Sequence, residues 1–151
     1  MLVRNGRNAF AFLASNKNRG IKALDGSSAN ASITNVLSYF SNATIVVGTG
    51  TTPASVDDYD LANQLTDGIT ISVVSKTNTS VDRAYSSDEP LMFVNCLITN
   101  ETENDISITE IGITIAQSSS TSLTYLLTRT VLTQPLVLEA GKTYQLRVDI
   151  N

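Results

Sequence analysis

The chain has no histidine and no tryptophan, a single cysteine, and only five tyrosines and four phenylalanines in 151 residues. The missing histidine removes the commonest general base, the commonest metal ligand and the usual partner of a nucleophilic serine or cysteine. One cysteine and no histidine cannot furnish the three or four nitrogen and sulfur ligands of a zinc site. Nor can a lone Cys96 form an internal disulfide, so core packing and backbone ladders must hold the fold. Cys96 lies in the apolar segment Leu91–Thr99 and reads as a small core residue. No apolar run approaches the roughly 20 residues that span a bilayer. The run Ala9–Ala14 also falls short of a secretory signal core, so export by a standard signal is not expected.

Charged residues are sparse, at 16% of the chain, and unevenly placed. Arg4, Arg7, Lys17, Arg19 and Lys22 all precede the first acid, Asp25, so the first 24 residues carry +5. All 14 acids follow with only five bases, a balance of −9. A basic segment on an acidic body suggests electrostatic docking to an acidic partner surface, and a solvated terminus is the plainer alternative.

Candidate chemistry is thin. Asp57, Asp58, Asp60 and Asp67 could offer oxygens to calcium, but the order of an EF-hand loop is absent. A glycosidase-like pair of carboxylates would want an aromatic-lined cleft, for which the chain has little material. Gly48-Thr-Gly50-Thr-Thr-Pro53 has the glycines of a phosphate loop without its Gly-Lys-Ser/Thr ending, and reads as a tight exit from a strand. Four Asn-X-Ser/Thr sites, at Asn30, Asn42, Asn78 and Asn100, are what a chain so rich in these residues produces by chance. Nucleic acid is not an expected partner, because the body is acidic and only Phe10 and Phe12 accompany the basic residues. No cofactor or metal is expected.

The pattern along the chain is strand and turn. Residues 1–32 show no sustained period and read as a basic extended arm, with Phe10–Leu13 as an apolar island. Residues 33–151 read as a β-sandwich domain, and within 33–40 strand and helical turn remain open. Thr44–Val47 is β-branched and stops at Gly48. In the connection 51–65, Ser55 followed three residues later by Asp58 resembles a capping box and predicts one or two helical turns. Ile69, Ile71 and Val73 alternate with polar residues, and Leu91–Thr99 is a further strand. Ile106 and Ile108 have one parity and Ile111, Ile113 and Ile115 the other, which predicts a β-bulge near Glu110–Gly112. A strand through Leu132 is expected to break at Pro135, and the last strand has the cleanest two-residue period, with Tyr144, Leu146, Val148 and Ile150 on one side. About seven strands predict an all-β fold, an antiparallel sandwich of jelly-roll or immunoglobulin-like type. Glu110 at the inferred bulge and Arg129 in an apolar strand face suggest a paired, half-buried charge couple. Two exposed charges on a sheet face are the alternative.

The segments Gly48-Thr-Gly50-Thr-Thr-Pro53 with Asp60-Leu-Ala-Asn63, then Ile108-Thr-Glu110-Ile-Gly112-Ile, Leu126-Leu-Thr-Arg129 and Pro135-Leu-Val-Leu-Glu-Ala-Gly141, occur in an order that resembles virion proteins of tailed bacteriophages. The resemblance covers roughly residues 43–151. It implies a non-enzymatic structural component located in the virion, with no catalytic residues to carry over. The leading expectation is a capsid decoration or cement subunit, attached to the major capsid protein through Arg4, Arg7, Phe10, Phe12, Lys17, Arg19 and Lys22. A tail, collar or fibre-adaptor subunit stays open, and a homo-oligomer is expected in either case. A receptor- or carbohydrate-binding module is the reading of another class, with Tyr39, Tyr59, Tyr85, Tyr125 and Tyr144 as its candidate platforms.

Overall fold

β-Branched residues at every second position favour extended chain, because each strand can then bury one face. A computed structural model describes residues 1–3, 6, 19–31, 42–76, 92–116 and 123–150, and eight strands occur among them. They are β1 (Arg19–Lys22), β2 (Ser28–Ala31), β3 (Ala43–Gly48), β4 (Ile69–Lys76), β5 (Met92–Asn100), β6 (Ile106–Ala116), β7 (Thr124–Leu138) and β8 (Thr143–Ile150). β1 and β2 form a hairpin, while the other six make two three-stranded antiparallel sheets, ordered β3-β6-β7 and β4-β5-β8. The architecture is all-β, as the alternation predicts. The sheets share one core, built from Ala43, Ile45 and Val47 of β3, Ile111, Ile113 and Ile115 of β6, and Val94, Cys96 and Ile98 of β5.

The change of parity in β6 is real, and its cause lies one residue earlier than expected. Ile108 pairs with Leu136 and Glu110 with Val131, so a single β6 residue, Thr109, faces four residues of β7, Leu132–Pro135. The irregularity lets Ile108 and Ile111 both enter the core. It also accommodates Pro135, which lacks an N–H and sits where the ladder is interrupted, so β7 runs through it rather than breaking. Gly112 is not the bulge residue. A Cβ there would lie 2.8 Å from Leu126 Cδ1 and 3.1 Å from Leu61 Cδ2, so its glycine makes room for the layer above.

A second shift, between Ile113 and Thr114, inserts an extra β7 residue, since Ile113 pairs with Thr128 but Thr114 with Leu126. The consequence is decisive for Arg129. By parity with Tyr125 and Leu127, which enter the main core, Arg129 would point inward too. The shift instead pairs it with Gly112, on the opposite face of the sheet.

That outer face is covered as well. The connection between β3 and β4, residues 49–68, lies across it as a strap, and Leu61 packs with Val3 and Leu126 in a small second core flanked by Leu24 and Val46. Residues 1–3 run along β7: Leu2 bridges Thr128, the Val3 amide donates to Leu127 O at 3.1 Å, and the Arg129 amide to Met1 O at 3.1 Å. Val3 is fully buried, and Ile21 and Ala23 join the main core. Among the described residues of 1–32, Val3, Gly6, Ile21 and Ala23 are buried and residues 19–22 and 28–31 form strands, so these parts pack with the sandwich while the turn between the strands is partly exposed. The boundary expected at 32/33 falls outside the described residues.

Candidate functional site

The sequence suggested a Glu110–Arg129 couple, and the structure places it beneath the strap. Glu110, with no solvent exposure, projects from β6 to the outer face. Its Oε1 accepts hydrogen bonds from the Gly50 amide (3.1 Å) and the Asn63 amide (2.7 Å); its Oε2 accepts from the Ala62 amide (3.0 Å) and Arg129 Nε (2.9 Å). The backbone can approach this closely because residues 48 and 50 have no side chain. A Cβ at Gly50 would stand 2.4 Å from Glu110 Oε1, and one at Gly48 2.6 Å from the same atom. The loop with phosphate-like glycines thus holds an anion, the carboxylate of its own chain.

Arg129, 2% exposed, is satisfied in the same enclosure. Besides Glu110, its Nη1 donates to Asp58 Oδ2 at 2.7 Å and its Nη2 to Thr52 O at 2.9 Å. Asp58 Oδ2 also accepts from the Ser55 amide at 2.7 Å, and Asp57 N donates to Ser55 Oγ at 3.2 Å. These are capping-type bonds, but they close a turn and not the expected helical segment, because Asp58 is drawn inward by the guanidinium. Thr109 Oγ1 donates to Gly50 O, and Thr49 N to Asn63 O, fastening the strap at both margins.

The electrostatics follow from the contacts. Burial pushes the Glu110 carboxyl up, but the Asn63 and Ala62 amides and the Arg129 guanidinium outweigh it and hold it below the ordinary range. For Arg129, burial opposes the charge, and Asp58 and Glu110 more than restore it. Asp60 is raised, first by burial and further by the Glu110 charge, against an opposing bond from the Leu61 amide. Cys96 is raised by burial, which suits an inert core thiol. Every oxygen of Glu110 and each guanidinium nitrogen of Arg129 is occupied within the chain, so these two side chains fix the strap.

The structure therefore brings Glu110 and Arg129 together and adds Asp58, Gly48, Gly50, Thr52 and Asn63, which sequence reasoning had not joined to them. Arg4, Arg7, Phe10, Phe12 and Lys17 lie outside the described residues, as does the side chain of Arg19. Lys22 is exposed on the β1–β2 hairpin, with Nζ 3.7 Å from the centroid of the Tyr59 ring, a cation–π contact to the strap. Among the tyrosines proposed as binding platforms, Tyr125 is 1% exposed and cannot stack on a ligand. Tyr144 accepts a hydrogen bond from the Glu139 amide, and Tyr39 and Tyr85 are outside the described residues. Asp57, Asp58, Tyr59 and Asp60 line an open recess of about 330 Å³ with Leu24 and Leu61. Among the described residues no group of three or more carboxylates and thiols is placed to hold a metal ion. No described helix is long and apolar enough to cross a membrane. Asn100, one of the Asn-X-Ser/Thr asparagines, is fully buried and donates to Asn104 O and Leu138 O.

The fold and cluster together define an all-β sandwich whose most elaborate polar site serves its own architecture. Comparison with protein-family models, with curated proteins and with solved structures returns no match.

Proposed function

We propose that this chain is a non-enzymatic structural subunit of a tailed-bacteriophage virion, a capsid decoration or cement protein. The observation that carries this is where the family-like motifs meet. Gly48-Thr-Gly50, Asp60-Leu-Ala-Asn63, Thr109-Glu110-Ile-Gly112 and Leu127-Thr-Arg129 converge on the strap and its buried ion pairs. Their order along the chain is thus a requirement of the fold, which supports an architectural protein over one built around a reactive centre.

Attachment falls to the basic stretch between residues 4 and 17, with Arg4, Arg7 and Lys17 as its charges and Phe10 and Phe12 as its anchors. Residues 1–3 and Gly6 on one side and Ile21–Leu24 on the other are engaged with the sandwich, so the docking segment is tethered at both ends. A ring or adaptor subunit of the tail would use the same segment between neighbouring subunits. Immunogold labelling of purified particles, with antibody to the sandwich, separates these outcomes. Label over the heads is expected; label restricted to the neck or tail replaces decoration by the adaptor role. Bare particles reject a virion protein altogether.

A further inference from the structure

We propose that β8 is a self-association edge, pairing antiparallel with β8 of a second copy to join two β4-β5-β8 sheets into one of six strands. This goes beyond the virion assignment and stands or falls independently of it.

A sheet edge displays unpaired N–H and C=O groups, and folded proteins usually blunt it with proline, lysine, a bulge or a covering segment. Three of the four edges of the two three-stranded sheets carry such devices among the described residues. β7 contains Pro135 and receives residues 1–3 along its outer side. β3 receives the strap, with Leu65 N donating to Val47 O and Gly48 bridging Gln64, and Lys76 Nζ donates to Ala43 O. β4 bears a register shift at Val73–Ser75 and ends in Lys76. Among the described residues β8 has none of these: its eight residues contain no proline, glycine or lysine and pair with β5 without a shift.

The side chains of β8 are self-complementary. Arg147 and Asp149 are its only charges, 50% and 41% exposed, and they stand two residues apart on one face. In an antiparallel pairing centred on Val148, Arg147 opposes Asp149 of the partner subunit, and Asp149 opposes Arg147 of the partner subunit. The other face then places Leu146 against Ile150 of the partner subunit and Val148 against its own counterpart. Leu146 and Val148 are only partly buried in the single chain, so pairing removes further apolar area from water. Charge bears on the choice of partner too. Two chains of net charge −4 repel, and this strand meets its copy with its charges balanced.

Sedimentation velocity of the full chain over about a hundredfold range of concentration tests the pairing. The wild type is expected to dimerise, whereas Arg147→Asp and Asp149→Arg each set like charges opposite one another and should sediment as monomers. An equimolar mixture of the two variants restores opposite charges between chains while neither chain keeps its internal Arg147–Asp149 pair, and should sediment as a heterodimer. Far-UV circular dichroism verifies that both variants are folded. A wild type that stays monomeric, an oligomer indifferent to both substitutions, or a mixture that fails to associate overturns the proposal.

Discussion

Replacing Glu110 by glutamine keeps the shape of the side chain and removes its charge, and the structure sets the cost. Each carboxylate oxygen of Glu110 receives two donors: Gly50 and Asn63 at Oε1, Ala62 and Arg129 at Oε2. Whichever oxygen becomes an amide nitrogen, two N–H groups then face another donor. Arg129, 2% exposed, is left with Asp58 as its one counter-charge, and Asp58 is 20% exposed. Breaking a buried ion pair by removing one partner costs about 3–5 kcal/mol, and an unmet buried hydrogen bond about 1–3 kcal/mol. These overlap, so Glu110→Gln should lose about 4 kcal/mol, against a total stability of about 5–15 kcal/mol for a domain. With a urea slope of about 2 kcal/mol per molar, the unfolding midpoint should fall by about 2 M at unchanged slope. A companion Arg129→Met variant and the double variant complete a thermodynamic cycle. The double loss should be well short of the sum, yet still large, because the glutamine amide nitrogen still faces one or two strap amides even when the arginine is gone. A loss below about 1 kcal/mol for Glu110→Gln would refute the claim that this carboxylate holds the strap.

Gly50→Ala should destabilise by about 1–3 kcal/mol, since its Cβ would meet Glu110 Oε1 at 2.4 Å and Ala62 Cβ at 2.7 Å; thermal unfolding followed by circular dichroism reads the shift. Stability should fall in acid. The folded Glu110 carboxyl lies below its ordinary value of 4.5, so its contribution is complete above that value and vanishes as pH drops through the lower folded one. Urea midpoints measured from pH 7 downward should therefore decline less steeply in Glu110→Gln than in the wild type. Asp60 has the opposite sign: its raised carboxyl disfavours the folded state above its folded value, so Asp60→Asn should gain midpoint at pH 7 and lose that gain in acid. Cys96, 1% exposed and raised by burial, should resist a thiol reagent in the native protein and react stoichiometrically in denaturant.

What the sequence disclosed was local. The two-residue period of β8 and the β-branched run of β3 each specify a strand with one buried face, and the isoleucines of β6 reveal a bulge because a parity change has no other remedy. The Glu110–Arg129 couple could be suspected because each charge broke an apolar pattern. Asp58 could not, since its tie to Arg129 spans 71 residues and nothing nearby in the chain points to that arginine. Its three-residue spacing from Ser55 imitated a helix start, and the pull of a distant guanidinium made a turn of it. Residues 1–3 hid for a similar reason. Three residues are too short to show a period, and their pairing with β7 is a long-range event. Gly48 and Gly50 were visible as a motif, but their purpose depends on a carboxylate some 60 positions away.

The proposed division of labour has the buried cluster maintaining the sandwich and the basic stretch docking it. Co-sedimentation of purified protein with virus particles measures this directly, comparing the wild type with an Arg4→Glu/Arg7→Glu/Lys17→Glu variant and following the urea midpoint of each. The variant should keep its midpoint and stay in the supernatant while the wild type pellets with the particles. A variant that pellets as fully as the wild type would contradict this division of labour.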